Sequence, residues 1–338
     1  MSLIFLIPVV AMFSSCGKSS TEPPSVPAPT NLVVSAVVNA DNSGNVAFTA
    51  SATKATTYEY DYGNGIFATV PSGAVVYRYP ASGTYSVTVK AKNSGTLSIS
   101  KSIQVVVAAS QGLVWSEEFN YNGAPDPAKW GYDLGAGGWG NAELQNYTNR
   151  IENSVVSNGT LKINAIKENF NNSPYTSARL LTKDKFAFKY GKVEVRAKVP
   201  AGVGTWAAAW MLGSNISTAG WPACGEIDIM EHLGREINKV YGTLHYPGRF
   251  GGNADGNTRM ITNATTEFHT YSLDWTAAFI KIYVDGLLVH SVSNPHAAFN
   301  QNFFIILNLA MGGNFGGPVD PAVTGGTMEV DYVRVYNN

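Results

Sequence analysis

Two cysteines in 338 residues, Cys16 and Cys224, leave no disulfide framework to staple this chain, so its stability has to come from buried cores. Charge is scarce too, at 14% of residues and a net −1. With no basic run, neither nucleic acid nor an anionic membrane surface is an expected partner. The apolar stretch at residues 3–13 is too short to span a bilayer, and no long amphipathic helix stands out. Gly (34), Pro (16) and aromatics (12%) are plentiful instead, which suits many short strands joined by turns. The expected fold class is all-β, in a chain long enough for two domains with a core each.

No Lys or Arg precedes the apolar stretch, and Ser14-Ser15-Cys16-Gly17 follows it. Residues 1–16 read as an export signal, and a Cys after small residues at its end resembles a bacterial lipobox. The expectation is an exported protein, held at the outer membrane or cell surface by a lipid on Cys16, with plain secretion as the alternative. A lipidated Cys16 cannot pair with Cys224, which lacks the partners of a nucleophilic thiol and reads as a small buried filler. Residues 17–30, rich in Pro and Ser, read as an extended spacer.

Residues 31–108 alternate in short segments, among them 33–38, 46–50, 85–91 and 99–107, separated by clusters such as Asp41-Asn42-Ser43-Gly44 and Gly63-Asn64-Gly65. This predicts a small β-sandwich of two sheets. Tyr60-Asp61-Tyr62-Gly63-Asn64-Gly65, and Tyr79 followed by Ser82-Gly83-Thr84-Tyr85-Ser86-Val87-Thr88-Val89, resemble the immunoglobulin-like domain of the polycystic-kidney-disease (PKD) type. It carries no catalytic constellation and reads as a spacer, with carbohydrate binding as the alternative. Residues 110–338 hold cleaner strands: 192–199, a hairpin of 279–284 and 287–292 around Asp285-Gly286, and a closing strand at 328–336. They predict one large sandwich.

Within it, Gly225-Glu226-Ile227-Asp228-Ile229-Met230-Glu231-His232 packs three carboxylates into an apolar, strand-like run. In a strand Glu226 and Asp228 share one face, with Ile227 and Ile229 on the other. Strict alternation puts Met230 beside the acids; a β-bulge near Met230 would return Glu231 to them. Paired carboxyl groups are what glycosidic hydrolysis needs, one ionised and one protonated. With one bulge, the Cα atoms of Glu226 and Glu231 stand about 13 Å apart. Their side chains can close most of that gap toward the retaining separation, with the inverting one left open. Asp228 between them raises a pKa by like charge and keeps a proton in the cluster.

A plainer reading makes these acids the wet face of a half-buried strand. Trp206, Trp210 and Trp221, all shortly before Glu226, favour sugar instead, because aromatic faces stack on the apolar faces of sugars; Trp210 also fits ordinary core. A metal on Glu226, Asp228, Glu231 and His232 is the third reading, weakened by the opposite face expected for His232.

Dispersed motifs then carry a resemblance over residues 113–338. In order they are Trp115-Ser116-Glu117-Glu118-Phe119, Gly138-Trp139-Gly140-Asn141-Ala142-Glu143-Leu144-Gln145-Asn146-Tyr147-Thr148, and Tyr175-Thr176-Ser177-Ala178-Arg179-Leu180. Gly204-Thr205-Trp206, Trp210-Met211-Leu212-Gly213, Trp221-Pro222-Ala223-Cys224-Gly225, Gly242-Thr243-Leu244-His245-Tyr246-Pro247-Gly248 and Asn308-Leu309-Ala310-Met311-Gly312-Gly313-Asn314 follow. The stretch is similar to the laminarinase-type endo-β-1,3-glucanases of glycoside hydrolase family 16.

That resemblance implies a β-jelly roll with an open cleft, Glu226 as nucleophile, Glu231 as acid/base and Asp228 as assisting carboxylate. The Glu-x-Asp-x-x-Glu spacing, with Met230 as its extra residue, resembles the β-1,3-glucanase branch. Asn141, Glu143, Gln145, Arg179, Trp206, Trp221 and His245 resemble substrate-contacting residues. Catalysis needs no cofactor by this resemblance, while a structural calcium is implied on Asp331, the Gly159 carbonyl, and Glu117 or Glu118. The expected activity is endo-hydrolysis of β-1,3-glucan with retention, by a monomer whose partner is the polysaccharide. Mixed-linkage glucanase, galactan hydrolase and a glucan-binding protein without turnover are the alternatives.

Overall fold

A computed structural model of the chain describes residues 26–40, 44–109 and 112–337. The expected export signal, Cys16 and most of the spacer lie outside the described residues. The chain divides into two compact units, residues 1–109 and 110–338.

The first unit has a three-stranded sheet, Thr30–Val38, Asn45–Thr53 and Ala74–Arg78. Its second sheet has four strands in the order Phe67–Val70, Thr57–Asp61, Gly83–Lys92 and Ser98–Val107. Alternate residues turn inward, so Val46, Phe48, Tyr60, Val87 and Val89 form a core with Tyr62 and Tyr79. The buried tyrosines find partners: Tyr79 Oη donates to the Tyr62 carbonyl at 3.0 Å and Tyr60 Oη to that of Gly73 at 2.6 Å. In the turn after Asp61, Gly63 has a φ of 77° and donates its N–H to Asp61 Oδ1 at 2.9 Å. A β-carbon there would lie 2.6 Å from the Ser86 carbonyl oxygen, so the position requires glycine.

The second unit packs a ten-stranded sheet on a seven-stranded one. Inward residues of both, including Val193, Val195, Ala207, Met211, Ile227, Leu273, Ile282, Ile305, Leu307 and Val333, close one continuous core. In the larger sheet, Phe279–Val284 and Leu287–Ser293 form a hairpin through Asp285 and Gly286, whose φ values of 49° and 75° suit a primed turn. Gly325–Tyr336 runs through the middle of that sheet. One of its edges pairs with Gly191–Lys198 and the other with Thr160–Phe170 and then Leu113–Glu117.

The seven-stranded sheet runs Asp255–Met260, Lys239–His245, Glu226–Leu233, Thr205–Gly213, Phe303–Met311, Arg179–Leu181, Gly131–Tyr132. Its outer face is polar at one end and apolar at the other. There Leu181, Leu212, Phe304 and Ile306 are buried together with Cys224 and the flanking Ile216. The segment between the 205–213 and 226–233 strands thus lies on the sheet it connects. Cys224 is a buried free thiol pushed up to about 11, chiefly by its burial. Among the described residues the α-helices are single turns, Ile216–Ala219 and Gly313–Gly316. No helix there is long and apolar enough to cross a membrane.

Candidate active site

The acidic strand, Glu226–Leu233, holds its carboxylates on one face by a slip in register. Against Thr205–Gly213, Asp228 pairs with Trp210 and Met230 with Ala209, which leaves Ile229 without an opposite number. On the other edge, Asp228 pairs with Thr243 and Glu231 with Tyr241, so Ile229 and Met230 together face Gly242. This is a two-against-one β-bulge. Both bulged residues are fully buried in the core, and the alternation resumes with Glu231 outward.

Each terminal acid of the trio accepts an indole hydrogen. Trp221 Nε1 donates to Glu226 Oε2 at 2.9 Å, and Trp206 Nε1 donates to Glu231 Oε1 at 3.1 Å. Thr243 Oγ1 adds a longer bond of 3.4 Å to Glu231 Oε2. His245 Nε2 faces Asp228 Oδ2 at 3.3 Å and Glu226 Oε1 at 3.7 Å. Its Nδ1 accepts the backbone N–H of Gly251 at 3.1 Å. In a neutral imidazole that bond places the ring proton on Nε2, aimed at the two carboxylates.

Burial pushes all three acids up to about 8. For Glu226 and Glu231 the negative charge of Asp228 adds to the rise, while His245 and the indole bonds work against it. Near neutral pH such a cluster keeps at least one proton, which is the resource an acid catalyst needs.

Among the described residues, Glu226, Asp228 and His245 form the one group of three potential metal ligands with ligand atoms all within 4.8 Å of one another. With its proton on Nε2, however, His245 meets that space as a donor and not as a ligand. His232 lies on the opposite face, fully buried, with Nε2 at 3.1 Å from the Ile237 carbonyl. It does not join the acids.

Beyond the acids, Arg179 occupies the same cross-sheet row as Glu231, through Asn308 and Ala208. That is three strand spacings, about 14 Å. Arg179 pairs with Asp133 at 3.0 Å and lies over the rings of Trp139 and Trp210, at 5.0 and 4.8 Å. Trp210 therefore faces outward, with Nε1 donating to Asn308 Oδ1 at 2.7 Å. Asn308 Nδ2 donates to Tyr147 Oη at 3.0 Å, and Tyr147 Oη donates to Glu143 Oε2 at 3.2 Å. Asn141 Nδ2 reaches the other Glu143 oxygen at 3.3 Å.

Gln145 is a correction. It is fully buried, its amide N–H donates to Glu143 at 2.6 Å, and its oxygen accepts the Met311 N–H at 2.8 Å. It has no surface to offer a sugar and braces Glu143 instead. Trp210 was legible as a site residue, since it lies an even number of positions from Trp206 in one strand. Asn308 was marked by being polar inside the apolar run Phe303–Met311. Phe250, against Trp221, sits on a loop and Phe315, against Trp206, on the single turn Gly313–Gly316, where no period points to them.

The residues named for the implied calcium lie on neighbouring strands of the ten-stranded sheet. Leu113–Glu117 and Thr160–Phe170 follow one another along Gly325–Tyr336, so Glu117 and the 157–160 turn flank Asp331. Glu118 is tied to Arg334 by two bonds of 2.9 and 2.8 Å, which leaves Glu117 as the available neighbour. Glu117 Oε2 is buried and makes no hydrogen bond, but Lys129 Nζ lies 3.5 Å from it and already supplies a positive charge there. Asp331, at a slip in the strand register, pairs with Arg196, which competes for the same carboxylate.

Comparison with known proteins places this geometry. Residues 141–334 match glycosyl hydrolases family 16, and residues 20–107 match the PKD domain. A beta-glucanase from Rhodothermus marinus is 46% identical over 242 residues, covering 66% of this chain and 84% of that protein. Glucan endo-1,3-beta-glucosidase A1 from Niallia circulans is 40% identical over 260 residues, or 68% of this chain and 38% of that longer protein. The solved structure of the laminarinase from Rhodothermus marinus superposes with a TM-score of 0.65 at 45% identity, covering 68% of this chain and 98% of its own. The chain belongs to glycosyl hydrolases family 16 and is a glycoside hydrolase preceded by a PKD domain.

Proposed function

We propose that this enzyme hydrolyses β-1,3-glucan internally, with retention at the anomeric carbon. The observation that carries the reading is the bulge that aligns Glu226, Asp228 and Glu231 on one face, with an indole N–H on each outer acid. The similarity to a beta-glucanase and a laminarinase supports the choice of glucan.

In the first step the Glu226 carboxylate attacks the anomeric carbon while the bond from that carbon to the bridging oxygen breaks. Glu231 gives its proton to the departing oxygen, so the leaving chain departs neutral and a glycosyl ester remains on Glu226. In the second step a water attacks the same carbon, hands a proton to Glu231 and releases Glu226 as a carboxylate. Two inversions restore the β configuration. The donors on Glu226, Trp221 and the facing His245, favour its ionised form. Asp228 holds the cluster's charge beside the reacting carbon, and His245 keeps it oriented. Arg179, Trp206, Trp210 and Trp221 supply the surface on which neighbouring sugar units rest.

The proposal takes in an exported protein, on the strength of the apolar stretch before Cys16. It also takes in a structural calcium at Glu117, the Gly159 carbonyl and Asp331, supported by the buried Glu117 oxygen that makes no hydrogen bond, with Lys129 and Arg196 as the cations it would have to displace. Reducing-sugar release from laminarin, lichenan, agarose and xyloglucan tests the substrate. The expected order puts laminarin first, while preference for lichenan or agarose would overturn the β-1,3 reading. Proton NMR of the first product reports its anomeric form, and an α product would overturn retention. If Glu226→Gln or Glu231→Gln cuts as fast as the parent, the assigned roles are wrong.

A further inference from the structure

Arg235 lies in the connection between the acidic strand and Lys239–His245, yet its guanidinium serves a distant part of the chain. Nη1 donates to the Phe315 carbonyl at 2.5 Å and to the Gly316 carbonyl at 2.7 Å, 80 and 81 positions further on. These are the last carbonyls of the single turn Gly313–Gly316, which find no partner within the turn and suit a cation. A β-carbon on Gly317, whose φ is 77°, would lie 3.1 Å from the same Nη1, so glycine there makes room for the guanidinium. On its other side the turn is tied by Gly312 N–H to the Gly204 carbonyl at 2.7 Å and by Asn314 N–H to the Asn141 carbonyl at 2.6 Å. Arg235 itself is exposed, so its replacement opens no core.

The turn that Arg235 closes carries Phe315 onto the site. The Phe315 ring meets Trp206 edge-on, with centroids 5.5 Å apart at 85°, and Tyr241 at 5.0 Å and 78°. Trp206 and Tyr241 belong to the strands on either side of the acidic strand, so Phe315 lies across that strand at its Glu231 end. The backbone of the turn presses on the same indole, since a β-carbon on Gly316 would meet Trp206 Cβ at 3.5 Å. Tyr241 is held from the connection that carries Arg235: its hydroxyl donates to Glu236, which Lys239 pairs at 3.4 Å. Phe315 is thus wedged between two rings, one fixed through Glu236 and the other the indole whose Nε1 donates to Glu231. Such a bond weakens steeply as its angle closes, so the set of the Trp206 ring decides its strength.

We propose that Arg235 is a positioning residue for the acid/base: by holding the 313–316 turn it keeps Phe315 against Trp206, and Trp206 at the angle from which its N–H reaches Glu231. The proposal rests on reading Glu231 as the proton donor. The titratable groups that face Glu231 are Glu226 and Asp228 on its own strand and His245 on the next, with the Thr243 hydroxyl beside them. Arg235 is not among them, and its charged neighbour is Glu236. Its influence on Glu231 passes through the two rings. The indole bond favours the carboxylate, so a loosened indole raises the pKa of Glu231.

The test compares the pH profile of kcat/KM on laminarin for the full chain with those of Arg235→Met, Arg235→Lys and Phe315→Leu. Arg235→Met keeps the stem and removes the donors, while Phe315→Leu removes the wedge without a change of charge. Each is expected to move the alkaline limb to higher pH by about half a pH unit, or about threefold in the proton equilibrium. Arg235→Lys, which can donate to both carbonyls, is expected to restore the limb. In a Trp206→Phe background Arg235→Met is expected to add nothing, because its path runs through the deleted N–H. A limb that stays in place, even with a lower Tm, makes Arg235 a structural brace only and overturns the proposal. So does a shift that persists undiminished in the Trp206→Phe background, which is what the charge of the guanidinium acting directly would give. A carbon NMR titration of the Glu231 carboxyl, assigned with Glu231→Gln, follows the same group without turnover. If the parent cuts no β-glucan the hydrolytic reading fails, while a raised titration midpoint in Arg235→Met still supports the positioning role and an unchanged midpoint overturns it.

Discussion

Gly242 lies opposite the bulge of the acidic strand and so close to the facing sheet that a β-carbon would sit 2.9 Å from Ile282 Cγ2. The core has filled the space a side chain would need, and Ile229 and Met230 occupy the rest. Gly242→Ala is expected to destabilise the second unit by about 1–3 kcal/mol through overpacking. Denaturant midpoints check this. Because the strain falls at the bulge, kcat should drop as well in the variant that remains folded.

The raised carboxyls link stability to pH. Their native pKa values of about 8 lie above the unfolded range near 4, so the native state binds more protons between those limits and loses stability as pH rises through that window. Glu231→Gln removes one such group. Its advantage over the parent should be absent near pH 4, grow with rising pH and level off above about pH 8, at about 1–3 kcal/mol. Unfolding curves at several pH values check this, and a flat difference would contradict it.

Trp206→Phe keeps the ring and deletes the N–H that favours the Glu231 carboxylate. The pKa of Glu231 should rise further. An acid catalyst works only while protonated, so the alkaline limb of the pH profile of kcat/KM should move to higher pH, with about a tenfold loss of rate at the optimum.

His245 is expected to act as a donor. Gln places an N–H at a similar reach to Nε2, whereas Ala places none. His245→Ala should lower kcat by about tenfold to a hundredfold, and His245→Gln should recover much of it, with KM little changed in both. A large change in KM with kcat intact would make His245 a sugar contact instead.

Calcium at a hundred times its dissociation constant contributes about 2.7 kcal/mol. For a unit of this size that is a rise of about 5–10 °C in Tm over the chelated protein. Glu117→Gln should abolish the difference while leaving hydrolysis at room temperature unchanged. Calorimetric scans with chelator and with added calcium provide the measurement.

The acidic strand could be read in the sequence because its period is local. Glu226, Asp228 and the buried isoleucines follow from alternation, and Met230 marks where alternation has to break. Trp206 and Trp221 could be picked out from their nearness to the acids, but which carboxylate each would serve could not. Gln145 was misread because its burial depends on the Met311 backbone from a strand far along the chain. The need for glycine at position 242 depends on Ile282 in the opposite sheet, and the exposure of Phe250 on how its loop folds against Trp221. Such facts belong to tertiary contacts, which no pattern along one strand contains.

The central place of the Gly325–Tyr336 strand also bears on how the molecule is made. Arg334 meets Glu118 across 216 positions of chain, and both edges of this strand are hydrogen-bonded to segments synthesised long before it. Until it emerges, Thr160–Phe170 and Gly191–Lys198 wait with bare edges and no strand between them. Pairings of that sequence separation are costly to close, and the larger sheet cannot be completed before a strand that follows every one of its pairing neighbours in the chain.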